Sequence, residues 1–172
     1  MLEVVKWKAP EQGRYKVNTD GAVFTKCKCV GFGVVVHDSK GDVISALCKR
    51  MAGLLGALET KAKAMEVAVQ FAVDNGIREV VFEGDSLSIC NMIQCSTEAQ
   101  SSIQNVVDGI ISQLKSFRVV EVSYVKRQGN IPAHLLAQHA VQVEDYVAWL
   151  EECLSPIARA CSQDVLSLVN SE

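Results

Sequence analysis

The sequence predicts one α/β domain over residues 15–140, built on a mixed five-stranded sheet with helices on its faces. Three observations carry that expectation. Three consecutive strand-length segments are joined by short turns, which marks an antiparallel meander. The hydrophobic period then changes from two to 3.6 at about residue 57. Beyond that point strands and helices alternate, and a strand–helix–strand crossover implies parallel pairing in the same sheet. A chain of 172 residues suits one domain and is too short for two of ordinary size.

Residues 1–14 (MLEVVKWKAPEQGR) hold Pro10 and Gly13 and read as an extended N-terminal arm. From Tyr15 to Asp20 the pattern alternates. Tyr15, Val17 and Thr19 share one face, and Lys16, Asn18 and Asp20 share the other. Residues 30–37 (VGFGVVVH) form the second strand and 43–48 (VISALC) the third, with Asp38-Ser39-Lys40-Gly41 as the hairpin between them. Ala62, Met65, Val69, Ala72 and Val73 step by three and four, which predicts a helix over about 57–75. Asn75-Gly76 ends it where a left-handed cap is wanted. A strand at 79–84 (EVVFEG) and a short helix at 86–95 follow. A polar break at 96–102 (STEAQSS) precedes a helix at about 103–115. Residues 118–125 (RVVEVSYV) are the fifth strand, and the last helix starts at Pro132, a good first-turn residue. Residues 141–172 read as an acidic, partly helical C-terminal extension outside the sheet. Tyr146, Trp149 and Leu150 fall at helical spacing there and offer a face for a protein partner.

Composition narrows the function. A hydrophobic share of 49% and a charged share of 22% exclude disorder for the chain as a whole. No apolar run approaches the roughly 20 residues of a membrane helix, so no membrane partner is expected. Seven cysteines, an odd count, with no apolar signal segment, predict free thiols in an intracellular reducing compartment, nucleus or cytoplasm. Cys27 and Cys29 have no further ligand pair nearby and are read as free thiols too. A net charge of −3 argues against a polyanionic partner, but the charge is uneven. Residues 141–172 carry six acids and one base, whereas residues 1–50 carry nine bases and five acids. The first half is therefore able to face a polyanion.

Four positions carry candidate chemistry: Asp20 in Asn18-Thr19-Asp20-Gly21, Glu59 in the first turn of the long helix, Asp85 in Glu83-Gly84-Asp85-Ser86, and His134 in the segment 127–134. Singly each has an ordinary explanation. Asp-Gly starts turns, Glu59 pairs with Lys63 at i+4, Asp85 and Ser86 cap a helix, and His134 is an exposed helix residue. Together they place acids at the carboxyl ends of two strands of an α/β sheet, where such folds hold ligands. Carboxylates that converge without a basic partner repel one another, and a hard divalent cation resolves the repulsion.

The sequence resembles the ribonuclease H-like domain found in plants, in non-LTR retroelement proteins and as free-standing copies. The matching stretches are Trp7-Lys8-Ala9-Pro10 with Gly13, Lys16-Val17-Asn18-Thr19-Asp20-Gly21-Ala22, Gly31-Phe32-Gly33-Val34-Val35, Leu58-Glu59 with Ala62, Glu83-Gly84-Asp85-Ser86, Arg127 with Asn130, Ala133-His134, and Leu136-Ala137. Trp149-Leu150-Glu151-Glu152-Cys153 resembles the tail of that group. The resemblance implies a five-stranded sheet in the order 3-2-1-4-5 with strands 1–3 antiparallel. It implies that Asp20, Glu59, Asp85 and His134 form the catalytic and metal site, holding two Mg²⁺ or Mn²⁺ ions with no small-molecule cofactor. The implied activity is endonucleolytic cleavage of the RNA strand of an RNA–DNA hybrid by a two-metal mechanism. Gly21, Ala22 and Glu59 would contact 2′-hydroxyls. Lys26, Lys28, Lys126, Arg127 and Asn130 would bind nucleic acid, with Lys16 a further phosphate candidate.

Three departures qualify the match. Many relatives carry Asp where this chain has His134, and an imidazole brings no negative charge, which favours Mn²⁺ over Mg²⁺. Residues 126–130 (KRQGN) lack the His that some relatives place before the last helix. Residues 96–102 hold no Lys or Arg, where some relatives have a basic handle. Ten aromatics give no evident stacking platform for single strands. Besides a hybrid ribonuclease, the alternatives are a same-fold module, weakened in catalysis, that binds nucleic acid or a protein, and a related 3′–5′ exonuclease.

Overall fold

The computed structural model describes residues 8–95 and 101–150. Strands β1 (Tyr15–Phe24), β2 (Cys29–His37) and β3 (Val43–Ala52) form the antiparallel meander. Helix α1 (Ala57–Asp74) crosses over to β4 (Glu79–Gly84), which pairs parallel with β1. Helices α2 (Leu87–Cys95) and α3 (Ser101–Leu114) lead to β5 (Val119–Tyr124), parallel to β4. Helix α4 (Ile131–His139) follows, and then β6 (Tyr146–Leu150). The sheet order is β5-β4-β1-β2-β3-β6. Among the described residues no helix is long and apolar enough to cross a membrane.

The sheet is covered on both faces, and β2 shows it in its sequence. All nine of its residues are buried, which a run of valines tolerates only between two layers. Val34 and Val36 point into a core made with Met65, Val69 and Ala72 of α1 and Val107 and Ile110 of α3. Val35 points the other way, toward Leu136 and Ala140 at α4. Turn chemistry closes the meander as expected. Asp38 accepts hydrogen bonds from the Lys40 and Asp42 amides at 2.9 and 3.0 Å, and Gly41 supplies the positive φ of 85°.

The sheet has six strands rather than five. Residues 146–150 are a strand, not a helix outside the sheet, and they pair antiparallel with β3 from Lys49–Tyr146 to Ser45–Leu150. The reason is the free edge of β3. An unpaired row of backbone donors and acceptors is satisfied by any apolar run of strand length, and Tyr-Val-Ala-Trp-Leu is one. Its aromatic spacing fits a helix equally, so the sequence pattern alone does not decide. Residues 151–153 of the expected helical stretch, and the rest of the extension, lie outside the described residues, as do 1–7 and 96–100 of the arm and the polar break. Cys27 and Cys29, expected to be free, are joined as a disulfide across the β1–β2 turn, with Cα atoms 5.5 Å apart. Cys48, Cys90 and Cys95 are free.

Candidate functional site

Register brings the two aspartates together. The parallel ladder between β1 and β4 ends at the rung Thr19–Gly84; Asp20 is the next residue of β1, and Asp85 is the first residue past β4. Asp20 is not at the end of β1, as expected, but in its middle, because β1 continues to Phe24 along β2. It leaves the ladder with β4 while still paired with Gly33 of β2. Its side chain is fully buried, and that of Asp85 is 7% exposed.

Glycines in β2 set the distance to α4. A Cβ on Gly33 would fall on the carbonyl oxygen of Ala133 and 2.6 Å from the Ala137 amide nitrogen. The helix therefore rests directly on the strand backbone. That close approach carries the next residue, His134, to Asp20, where Nδ1 lies 2.8 Å from Oδ2. An ionised carboxylate only accepts, so the bond is donated by Nδ1–H and leaves Nε2 as the ring's other nitrogen for chemistry. A buried polar chain holds the start of α4. Lys16 pairs with Glu83 at 3.0 Å, Asn18 donates to Glu83 and to Asn130, and Asn130 donates to the Thr19 carbonyl at 3.0 Å.

Helix α1 contributes a residue that sequence reasoning missed. Lys61, not Glu59, reaches the aspartates. Its Nζ donates to Asp20 Oδ1 and to Asp85 Oδ1, the latter at 3.1 Å. Arg127 adds a 3.5 Å contact to Asp85 Oδ2. At about 100° per residue, positions 59 and 61 lie roughly 200° apart around the helix, so one cannot face the sheet edge when the other does. Glu59 instead lines a separate cleft with Met92, Ser102 and Ile103. Nor does it pair with Lys63, which binds Glu66 at 3.2 Å. The signal for Lys61 was present. It stands four residues before Met65 on the helix's core-facing stripe, where a lysine needs a buried counter-charge.

The expected nucleic-acid contacts divide. Lys26 and Lys28 are exposed in the β1–β2 turn, and Lys126 and Arg127 are exposed before α4. Gly21 is buried against Thr60, and its amide donates to Asp20 Oδ1 at 2.9 Å; Ala22 is half-buried. Asn130 is fully buried and Lys16 is 7% exposed, both engaged in the polar chain. Ser86 caps α2 as expected, its Oγ accepting from the Ile89 amide at 3.4 Å. Cys90 lines the pocket beside Asp85, and burial pushes its thiol up to about 11, so it is a neutral apolar wall.

The side chains present do not fit the expected pair of divalent ions. Among the described residues no group of three or more His, Cys, Asp or Glu is placed to hold a metal ion. Two carboxylate charges face two cations of the chain itself, Lys61 and Arg127. Lys61 offsets one of the two charges from inside the site and the exposed Arg127 meets Asp85 from solvent, which weakens the pull on a divalent ion.

The sequence matches the family described as reverse transcriptase-like over residues 18–140. No curated protein matches it. Solved structures do. Ribonuclease H1 of the halophilic archaeon Halobacterium salinarum is similar with a TM-score of 0.70 at 20% identity, over 76% of this chain and 98% of that one. The N-terminal ribonuclease H domain of a Mycobacterium tuberculosis protein gives 0.68 at 18%, over 75% and 94%. LC11-RNase H1, solved in complex with an RNA/DNA hybrid, gives 0.67 at 19%, over 74% and 96%. At these identities the likeness establishes the ribonuclease H-like fold.

Proposed function

The chain belongs to the reverse transcriptase-like family, and from that premise we propose that it is a nucleic-acid-binding domain that takes RNA–DNA hybrid at the strand ends of β1 and β4 and cleaves it weakly or not at all. One observation carries the second half. The acids that would hold catalytic ions are already paired with Lys61, Arg127 and His134, and Glu59 stands apart. The fold supports the first half, as does the hybrid bound to the similar LC11 protein. Lys26, Lys28, Lys126 and Arg127 contact phosphates. The half-buried backbone at Ala22, two residues after Asp20, is the contact to the 2′-hydroxyls that separate RNA from DNA.

A ribonuclease dependent on Mg²⁺ or Mn²⁺ is the second reading, favoured by the meeting of Asp20, Asp85 and His134 beyond the last rung between β1 and β4. One experiment decides. A labelled RNA–DNA hybrid is offered beside duplex DNA, duplex RNA and single strands, in EDTA and then in each metal. Hybrid should bind in EDTA more tightly than duplex DNA, and its RNA strand should stay largely intact in either metal. Rapid cleavage in Mg²⁺ would establish the ribonuclease instead. Equal affinity for hybrid and duplex DNA would remove the hybrid assignment.

A further inference from the structure

We propose that Lys61 is a resident cation: its ammonium fills the place between Asp20 and Asp85 that a divalent ion would take, so the site holds no metal until Lys61 is removed. The inference rests on the same reading of the aspartate pair as above. Three observations carry it. First, Nζ bridges the two carboxylates through their Oδ1 atoms, which is the arrangement a shared cation adopts. Second, the lysine is held there by its place in the fold. It lies on the core-facing stripe of α1, its side chain is only 22% exposed, and Thr19, Ala64, Met65 and Gly84 wall the same pocket. Third, the other carboxylate oxygens are taken as well: His134 Nδ1 lies 2.8 Å from Asp20 Oδ2, and Arg127 Nε lies 3.5 Å from Asp85 Oδ2.

The charge balance gives the same result. With Lys61 present the two aspartates have a monovalent partner whose capture costs side-chain rotamer freedom but no translational entropy, because it is tethered. A divalent ion binds only by displacing it, and the displaced ammonium would then sit beside the ion it repels. Without Lys61 the pair becomes two buried carboxylates facing each other with one exposed guanidinium nearby, which is the condition that draws a cation from solution.

Mn²⁺ binding to the full chain, followed by calorimetry and by melting with no nucleic acid present, tests this separately from hybrid binding. Wild type should show no saturable binding at millimolar Mn²⁺ and an unchanged melting temperature, and Lys61→Arg should match it. Lys61→Met should melt roughly 10 °C lower in EDTA and recover when Mn²⁺ is added. Lys61→Glu, with a third carboxylate, should bind Mn²⁺ at least ~10-fold more tightly than Lys61→Met. Lys63→Met, two residues along α1 and paired with Glu66 instead of the aspartates, should behave as wild type. If Lys61→Met does not fold in EDTA, refolding in Mn²⁺ supports the proposal and failure to refold overturns it. Saturable Mn²⁺ binding by wild type that Asp85→Asn abolishes would overturn it as well, and so would a Lys61→Met response no larger than that of Lys63→Met.

Discussion

Individual side chains are placed here by what surrounds them more than by what they are. His37 ends β2 and is 8% exposed. Burial, with Lys16 nearby, lowers its pKa from 6.5 to about 4, against a smaller opposing effect of Asp38. The unfolded chain therefore binds a proton between about pH 6.5 and pH 4 that the folded chain does not. Stability from this group is complete above pH 6.5 and is lost as the pH falls through that window, by up to about 3 kcal/mol. His37→Gln should flatten this part of a curve of melting temperature against pH. Parallel curves for the two proteins would mean that other groups cause the acid loss. The same logic explains Asn130, whose sequence context suggested a ligand contact. Its amide instead joins α4 to β1 from a fully buried position.

Elements set the site by how closely they approach. The Gly-Phe-Gly of β2 lets α4 lie on the strand, and Asp20 is the register partner of Gly33. Gly33→Ala should therefore push α4 away, stretch the His134–Asp20 contact and cost about 2–3 kcal/mol by overpacking. Chemical denaturation measures the loss, and the His134 ring resonances report the contact. An alanine variant of wild-type stability would show that α4 has room to shift. Helix α1 teaches a different lesson. Its existence and length follow from its apolar period, but its rotation about its own axis decides whether position 59 or 61 meets the aspartates. Two residues of offset exchange an acid for a base at the site.

Over the whole molecule, the acidic total conceals a basic surface. Four exposed cations, Lys26, Lys28, Lys126 and Arg127, flank the strand ends. If all four reach phosphates, the logarithm of hybrid affinity should fall against the logarithm of salt with a slope of about −3 to −4. Lys126→Ala should weaken binding to every sequence and make that slope shallower by about one. A slope unchanged by the substitution would place Lys126 off the binding surface. The sixth strand acts at this scale too. By covering the edge of β3 it turns part of an apparent acidic tail into sheet, and it makes the short β6 the edge strand in place of β3.

The sequence by itself determined the α/β class, the meander, the crossovers and nearly every element. Those depend on local period and turn chemistry, which neighbours in the chain carry. It also singled out Asp20, Asp85 and His134; Asp85 follows a strand and His134 opens a helix, as their local sequence indicates, whereas Asp20 lies in mid-strand and is placed by its pairing with β2. Tertiary structure decided what those residues meet. Lys61 between the aspartates, Asn130 under α4, and residues 146–150 as a strand each depend on a partner far away in sequence: β1 and β4 for the lysine, Asn18 and Thr19 for the asparagine, the open edge of β3 for the strand. A one-dimensional pattern states which face of an element is apolar, but a site is made where faces of several elements meet, and the fit between them fixes which side chain arrives there.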